Sequence, residues 1–152
     1  MAETLGSLCD KLTIVKLKHW HTEDKERLQN LARQEKQLED EINEFVSAAI
    51  AGHIPVERLT FAANKVYKKE GNTLSDFPDG IGAIFSMLAD VNCRLWHVQE
   101  HVYDFEKIPV EEKDGVVKQL AVLNLERTTC IDKIDECVRS LMEQRMAPVS
   151  EL

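Results

Sequence analysis

The chain has 152 residues and a mass of 17.4 kDa, with 30% charged and 43% hydrophobic residues, a composition that suits one helical domain with a buried core and excludes a disordered chain. Twenty-seven acidic residues against 19 basic ones give a net charge of −8, a field that repels phosphate backbones and argues against nucleic acid as a partner. No apolar run approaches the roughly 18 residues of a membrane span, and the first residues lack the charged-then-apolar pattern of a leader, so a cytoplasmic protein is expected.

Residues 7–51 contain neither glycine nor proline. A stripe runs through them at alternating steps of three and four: Ile14, Leu17, His21, Asp24, Leu28, Leu31, Glu35, Leu38, Ile42, Phe45 and Ala49. Unbroken heptad spacing predicts a single long helix with a packing seam, the alternative being a turn hidden between Thr22 and Lys36. At 1.5 Å per residue such a helix would be about 68 Å long. The rest of one chain could not cover it, so a homodimer pairing the long helices is expected, because Leu28, Leu31, Leu38, Ile42 and Phe45 would otherwise be exposed.

Gly52 supplies a stop, and Pro55 followed by Glu57 opens a shorter connecting helix over about 55–70, ending at Gly71-Asn72. Ser75 to Gly80 reads as a loop. From Gly82 a third helix carries the stripe Ile84, Leu88, Val91, Leu95, Val98, Val102 and Phe105. Lys107-Ile108-Pro109 breaks it, and a last helix runs to about Met146 with the stripe Val117, Leu120, Asn124, Arg127, Ile131, Ile134, Val138 and Leu141, before Pro148. The short break makes these two helices antiparallel neighbours.

The chain also repeats itself. Trp20-His21 and Trp96-His97 fix an offset of 76, at which Gly6, Leu12 and Val15 fall on Gly82, Leu88 and Val91. The expected architecture is therefore all-α, a single domain over 1–152. It is a long-helix bundle or antiparallel coiled coil in which copy one (about 5–52) and copy two (about 81–146) flank the connector.

Candidate functional residues are the polar positions that interrupt or flank the stripes. His21, Asp24 and Glu35 interrupt that of the first helix and Asn124 and Arg127 that of the last, while on the third helix Trp96 and His97 flank the stripe with Asn92 and Glu100 nearby. A hairpin centred near Ile108 sets Asn92 level with Asn124 and lets Arg127 reach the same layer. A buried arginine needs a carboxylate, and Asp24, Glu100 and Asp135 are the available counter-charges. Such a network either sets helix register or doubles as a ligand site.

Cys93, His97 and His101 lie at i, i+4 and i+8 on one ridge. With His21 from the first copy, His97 and His101 could hold a divalent transition metal, leaving Glu100 as an acid/base. The bland alternative is a packed tryptophan–histidine edge at Trp20-His21 and Trp96-His97. His97 to His101 also spells H-x-x-E-H, a weak match in a small helical chain. Asn64 to Asn72, with three lysines from Lys65 to Lys69 and Tyr67, reads as a helix end or as an anion or sugar-phosphate contact. The four cysteines show no C-x-x-C spacing and read as reduced thiols.

Asn92, Trp96 and His97, then Asn124, Arg127, Ile134 and Asp135, resemble the signature of a bacterial helical family of unassigned function. That family shows an asparagine and a tryptophan–histidine on one helix, followed by N-x-x-R and an isoleucine–aspartate pair on the next. The resemblance covers about a third of the chain. It implies a bacterial, cytoplasmic, all-α protein, and because such proteins are often encoded near surface-polysaccharide or glycosyl-transfer genes, a protein partner in a glycan pathway. Together these readings lead to a non-catalytic adaptor or scaffold, with a metal-dependent enzyme and a sugar-phosphate binder as the alternatives.

Overall fold

A computed structural model describes residues 3–61 and 75–147. The chain is all-α: the described residues hold four α-helices and no strand, and none of the helices is long and apolar enough to cross a membrane. The helices are α1 (Leu5–Trp20), α2 (Lys25–Ile50), α3 (Ile81–Tyr103) and α4 (Val110–Met146). Short 3-10 turns at Val56–Arg58 and Phe105–Lys107 join the connecting segments.

The single long helix expected over 7–51 is instead a hairpin. α1 ends at Trp20, and Asp24, in an extended conformation, caps α2 by accepting the Arg27 amide at 2.7 Å. Its side chain satisfies one of the amides that a helix start leaves open, and Glu26 adds a favourable charge to the first turn. The stripe predicted from Leu28 to Ala49 does face inward, with Leu31, Leu38 and Ala49 buried. On α1 the buried seam is Leu5, Leu8 and Val15 with Leu12, not Ile14 and Leu17, because the turn resets the phase.

Leu8 and Val15 pack on Leu31 and Leu38, with Leu12, Ile42 and Phe45 around them, so α1 covers the stripe that a second copy was expected to cover. The argument for a homodimer loses its premise with the long helix. Lys16 and His19 on α1 reach Glu35 of α2 at 2.8 and 3.4 Å and fix the pair as antiparallel.

α3 and α4 form the second hairpin. Ile84 and Leu88 pack on Cys130 and Ile134, and Val91 and Val98 on Leu123. The stripe predicted for α3 is the observed one as far as Val102; its last member, Phe105, falls beyond the helix in the 3-10 turn. That for α4 is out of phase in its first half, where Val117 and Asn124 face solvent while Leu123, Glu126 and Cys130 turn inward. The hairpins join along α1, which lies against α4 and α3. There Leu5 and Cys9 meet Val138 beside Ile42, Phe45, Ile81 and Phe85. α1 and α3 begin 76 residues apart, at Leu5 and Ile81.

The connector starts where expected, at Pro55, but as a 3-10 turn, followed by a buried Leu59. The remainder of the predicted connecting helix, its stop at Gly71-Asn72 and Pro148 lie outside the described residues.

Candidate functional site

The polar groups that the seam buries belong to three helices. Asp10 of α1 is almost fully buried and takes a bidentate pair from Arg127 of α4, Nε to Oδ1 at 2.9 Å and Nη2 to Oδ2 at 2.5 Å. Asn92 of α3 donates Nδ2 to the same Oδ1 at 2.9 Å and to the Thr13 hydroxyl at 2.7 Å, and Thr13 donates onward to the Asp10 carbonyl. Each carboxylate oxygen is occupied by a charge-assisted donor, the arrangement in which a buried ion pair retains its hydrogen bonds. What it does chemically is hold three helices in one register.

Asp10 therefore supplies the counter-charge expected from Asp24, Glu100 or Asp135. Asp24 is spent as the α2 cap. Asn124, expected level with Asn92, is exposed and returns its amide to the Leu120 carbonyl at 3.0 Å. Sequence reasoning missed Asp10, whose signal was an acidic residue inside the apolar run of Leu5, Leu8, Leu12 and Val15. It also missed Glu126, a buried carboxylate flanked by Leu123 and Leu125, which accepts the Ser75 amide and hydroxyl and the Arg94 guanidinium at 2.8–3.0 Å.

Asp135 stands apart from that layer. It is 1% exposed, and its Oδ1 accepts the Gly6 amide at 2.8 Å. Its Oδ2 is buried with no hydrogen-bond partner. Burial pushes the carboxyl up to about 6, against the opposing pull of the Thr4 side chain and the Gly6 amide. Burial likewise pushes the thiols of Cys9 and Cys130 up to about 12 and about 11, so both stay protonated and unreactive near neutral pH. All four cysteines are free.

The aromatic and histidine residues gather at the opposite end of α1. His21 closes α1, its Nδ1 2.7 Å from the Leu17 carbonyl, and its ring stacks on Trp96 of α3 with centroids 4.6 Å apart and planes 20° from parallel. Trp96 donates its indole N–H to Glu100 at 3.0 Å, and His97 Nδ1 lies 3.6 Å from the same carboxylate in open solvent. Histidine, tryptophan and glutamate are thus brought together as an aromatic shelf. His101 is exposed in the last turn of α3, and among the described residues no three His, Cys, Asp or Glu side chains converge as a metal-ligand set. Trp20, the repeat mate of Trp96, makes no such contact and is 86% exposed. The basic stretch with Lys65 to Lys69 and Tyr67 lies outside the described residues.

A cavity of about 760 Å³ opens elsewhere, between the start of α1, the second half of α2 and the connector. Leu8, Phe45 and Phe61 form apolar walls, with Glu41, Glu44 and Glu57 among its acidic groups. None of the candidate functional residues read from the sequence lines it.

No family model matches the chain, and neither the curated proteins nor the solved structures contain a match to it.

Proposed function

We propose that the chain is a non-catalytic helical adaptor, built from two related hairpins, that presents an apolar tip to a protein partner. The observation that carries this reading is the exposure of large apolar side chains around the two hairpin turns. Trp20 is 86% exposed at the end of α1, Tyr103 76% at the end of α3 and Val110 80% at the start of α4. The His21–Trp96 stack brings the α1 end onto α3. Aromatic anchors left in water contribute little to folding and are the residue types that dominate binding interfaces. Meanwhile the buried Asp10, Asn92 and Glu126 are taken up by ties between elements, which suits a rigid scaffold better than a reaction centre.

The resemblance of Asn92, Trp96-His97 and Asn124-x-x-Arg127 to a family found near glycosyl-transfer genes makes a surface-glycan pathway in a bacterial cytoplasm the setting we infer. A second copy of the chain is a candidate occupant of the same tip.

The test is a double variant, Trp20→Ser with Tyr103→Ser. Its thermal midpoint should stay within about 2 °C of wild type, because both side chains lie in solvent outside the buried networks, where substitutions cost little. A partner captured by cross-linking to the wild-type tip, or a dimer seen by sedimentation at tens of micromolar, should be lost in the variant. Elemental mass spectrometry on protein purified without chelator covers the rival: near-stoichiometric metal that disappears in His97→Ala would replace the adaptor with the metal-dependent enzyme and make Glu100 its acid/base.

A further inference from the structure

The seat of α1 on α4 contains a group that a permanent structural contact would not need. Gly6 packs so closely on α4 that a Cβ there would lie 2.5 Å from the Ile131 carbonyl oxygen and 2.9 Å from Asp135 Oδ1. The amide of this residue is held by Asp135 Oδ1, while Oδ2 of the same carboxyl is sealed in without a partner. An asparagine could also accept the Gly6 amide, through a weaker neutral bond, without bringing a charge into the core, and an unpaired buried charge costs far more than an unpaired neutral group.

Two acidic neighbours on the same helix, Asp132 and Glu136, repel the ionised form. From α1 the groups facing it are the Thr4 side chain and the protonated Cys9 thiol, with Asp10 further along and already neutralised by Arg127. The α3 and α2 residues clustered with the neighbouring Ile134 and Val138 are apolar: Ile84, Leu88, Phe85, Ile42 and Phe45.

We propose that Asp135 is a proton-operated latch: protonated, it seats the first two turns of α1 on α4, and loss of its proton to solvent loosens that seat. Leu8 of the same segment, and Glu3 just before it, line the 760 Å³ cavity, so the latch sets how firmly one wall of that cavity is held. The direction follows from linkage. The seated carboxyl titrates near 6 and a released one near the ordinary aspartate value of 3.8, so the seated form binds the proton more tightly. The stabilisation is complete below about 4 and is lost as the pH rises through 6.

Hydrogen exchange at the Gly6 and Leu8 amides, divided by the intrinsic chemical rate at each pH, reads the opening directly. Between pH 5 and pH 7.5 the opening constant should rise about tenfold in wild type, from the two titration midpoints, and stay flat in Asp135→Asn. A carbon-13 titration of the Asp135 carboxyl in the wild-type protein gives a second readout that does not depend on a variant folding. A midpoint near 6 supports the latch. A midpoint below about 4.5, a flat wild-type opening constant, or a tenfold rise that survives in Asp135→Asn would each overturn it.

Discussion

Gly6 and Gly82 are mates at the offset of 76, and the molecule uses them differently. Each is the second residue of its helix. Around Gly82 nothing lies within 4 Å of an added Cβ, whereas Gly6 meets the Ile131 backbone oxygen at 2.5 Å, an atom that cannot swing away. Alanine at Gly82 should therefore stabilise by a few tenths up to about 1 kcal/mol, from reduced freedom of the unfolded chain and better helix propensity. Alanine at Gly6 should destabilise by about 1–3 kcal/mol, because the helices must separate to admit a methyl group. Urea denaturation of the two variants checks the pair, and equal effects of the same sign would show that the close contact at Gly6 carries no energetic weight.

At this scale the sequence was only partly legible. The offset flagged Gly6 as half of a repeat, yet only the fold reveals that one glycine is pressed against α4 and the other faces water. By sequence Asp135 is an available counter-charge for Arg127, whereas in the fold it binds a backbone amide on α1, a pairing across 129 residues that no spacing rule anticipates.

The turn between α1 and α2 decides the architecture at the level of elements. Heptad steps passed through it because an antiparallel hairpin shows apolar faces to a common core on both sides of its turn. The warning was local: His21 and Asp24 are consecutive stripe positions and neither is apolar, and Thr22-Glu23-Asp24 ends in a good capping residue. The Asp24 carboxylate satisfies the Arg27 amide at the start of a helix of 26 residues. Asp24→Ala should cost about 1 kcal/mol, with a fraying first turn of α2 visible as faster amide exchange near Arg27. A variant as stable as wild type would mean that the turn is held by the Lys16 and His19 contacts to Glu35 and not by its cap. The α3–α4 turn, by contrast, was readable because Pro109 stands at the start of α4 and cannot continue the preceding helix.

For the molecule as a whole, each hairpin is built from contacts between neighbouring helices, and the two hairpins meet through ties spanning 79 to 129 residues. The sequence resolves the hairpin of α3 and α4, because helical period and breakers are local. It does not resolve the seam, because which helix supplies the carboxylate for Arg127 depends on how two finished hairpins dock. That seam should make folding cooperative. Helicity by circular dichroism and the fluorescence of Trp96, whose stack on His21 spans the seam, should lose their native values at one urea concentration. Trp20→Phe isolates the Trp96 signal, since Trp20 is solvent-exposed and surrenders little burial. Arg127→Met then strands Asp10 in the seam. Removing one partner of a buried pair costs about 3–5 kcal/mol, and the 31% exposure of the arginine side chain puts the expected loss at the lower end. In that variant the Trp96 transition should precede the loss of helix, as the hairpins part before they melt. If the two signals stay coincident and the loss is below about 1 kcal/mol, the docking of the hairpins rests on the apolar contacts of Leu5, Cys9 and Val138 and the Asp10–Arg127 tie only selects their register.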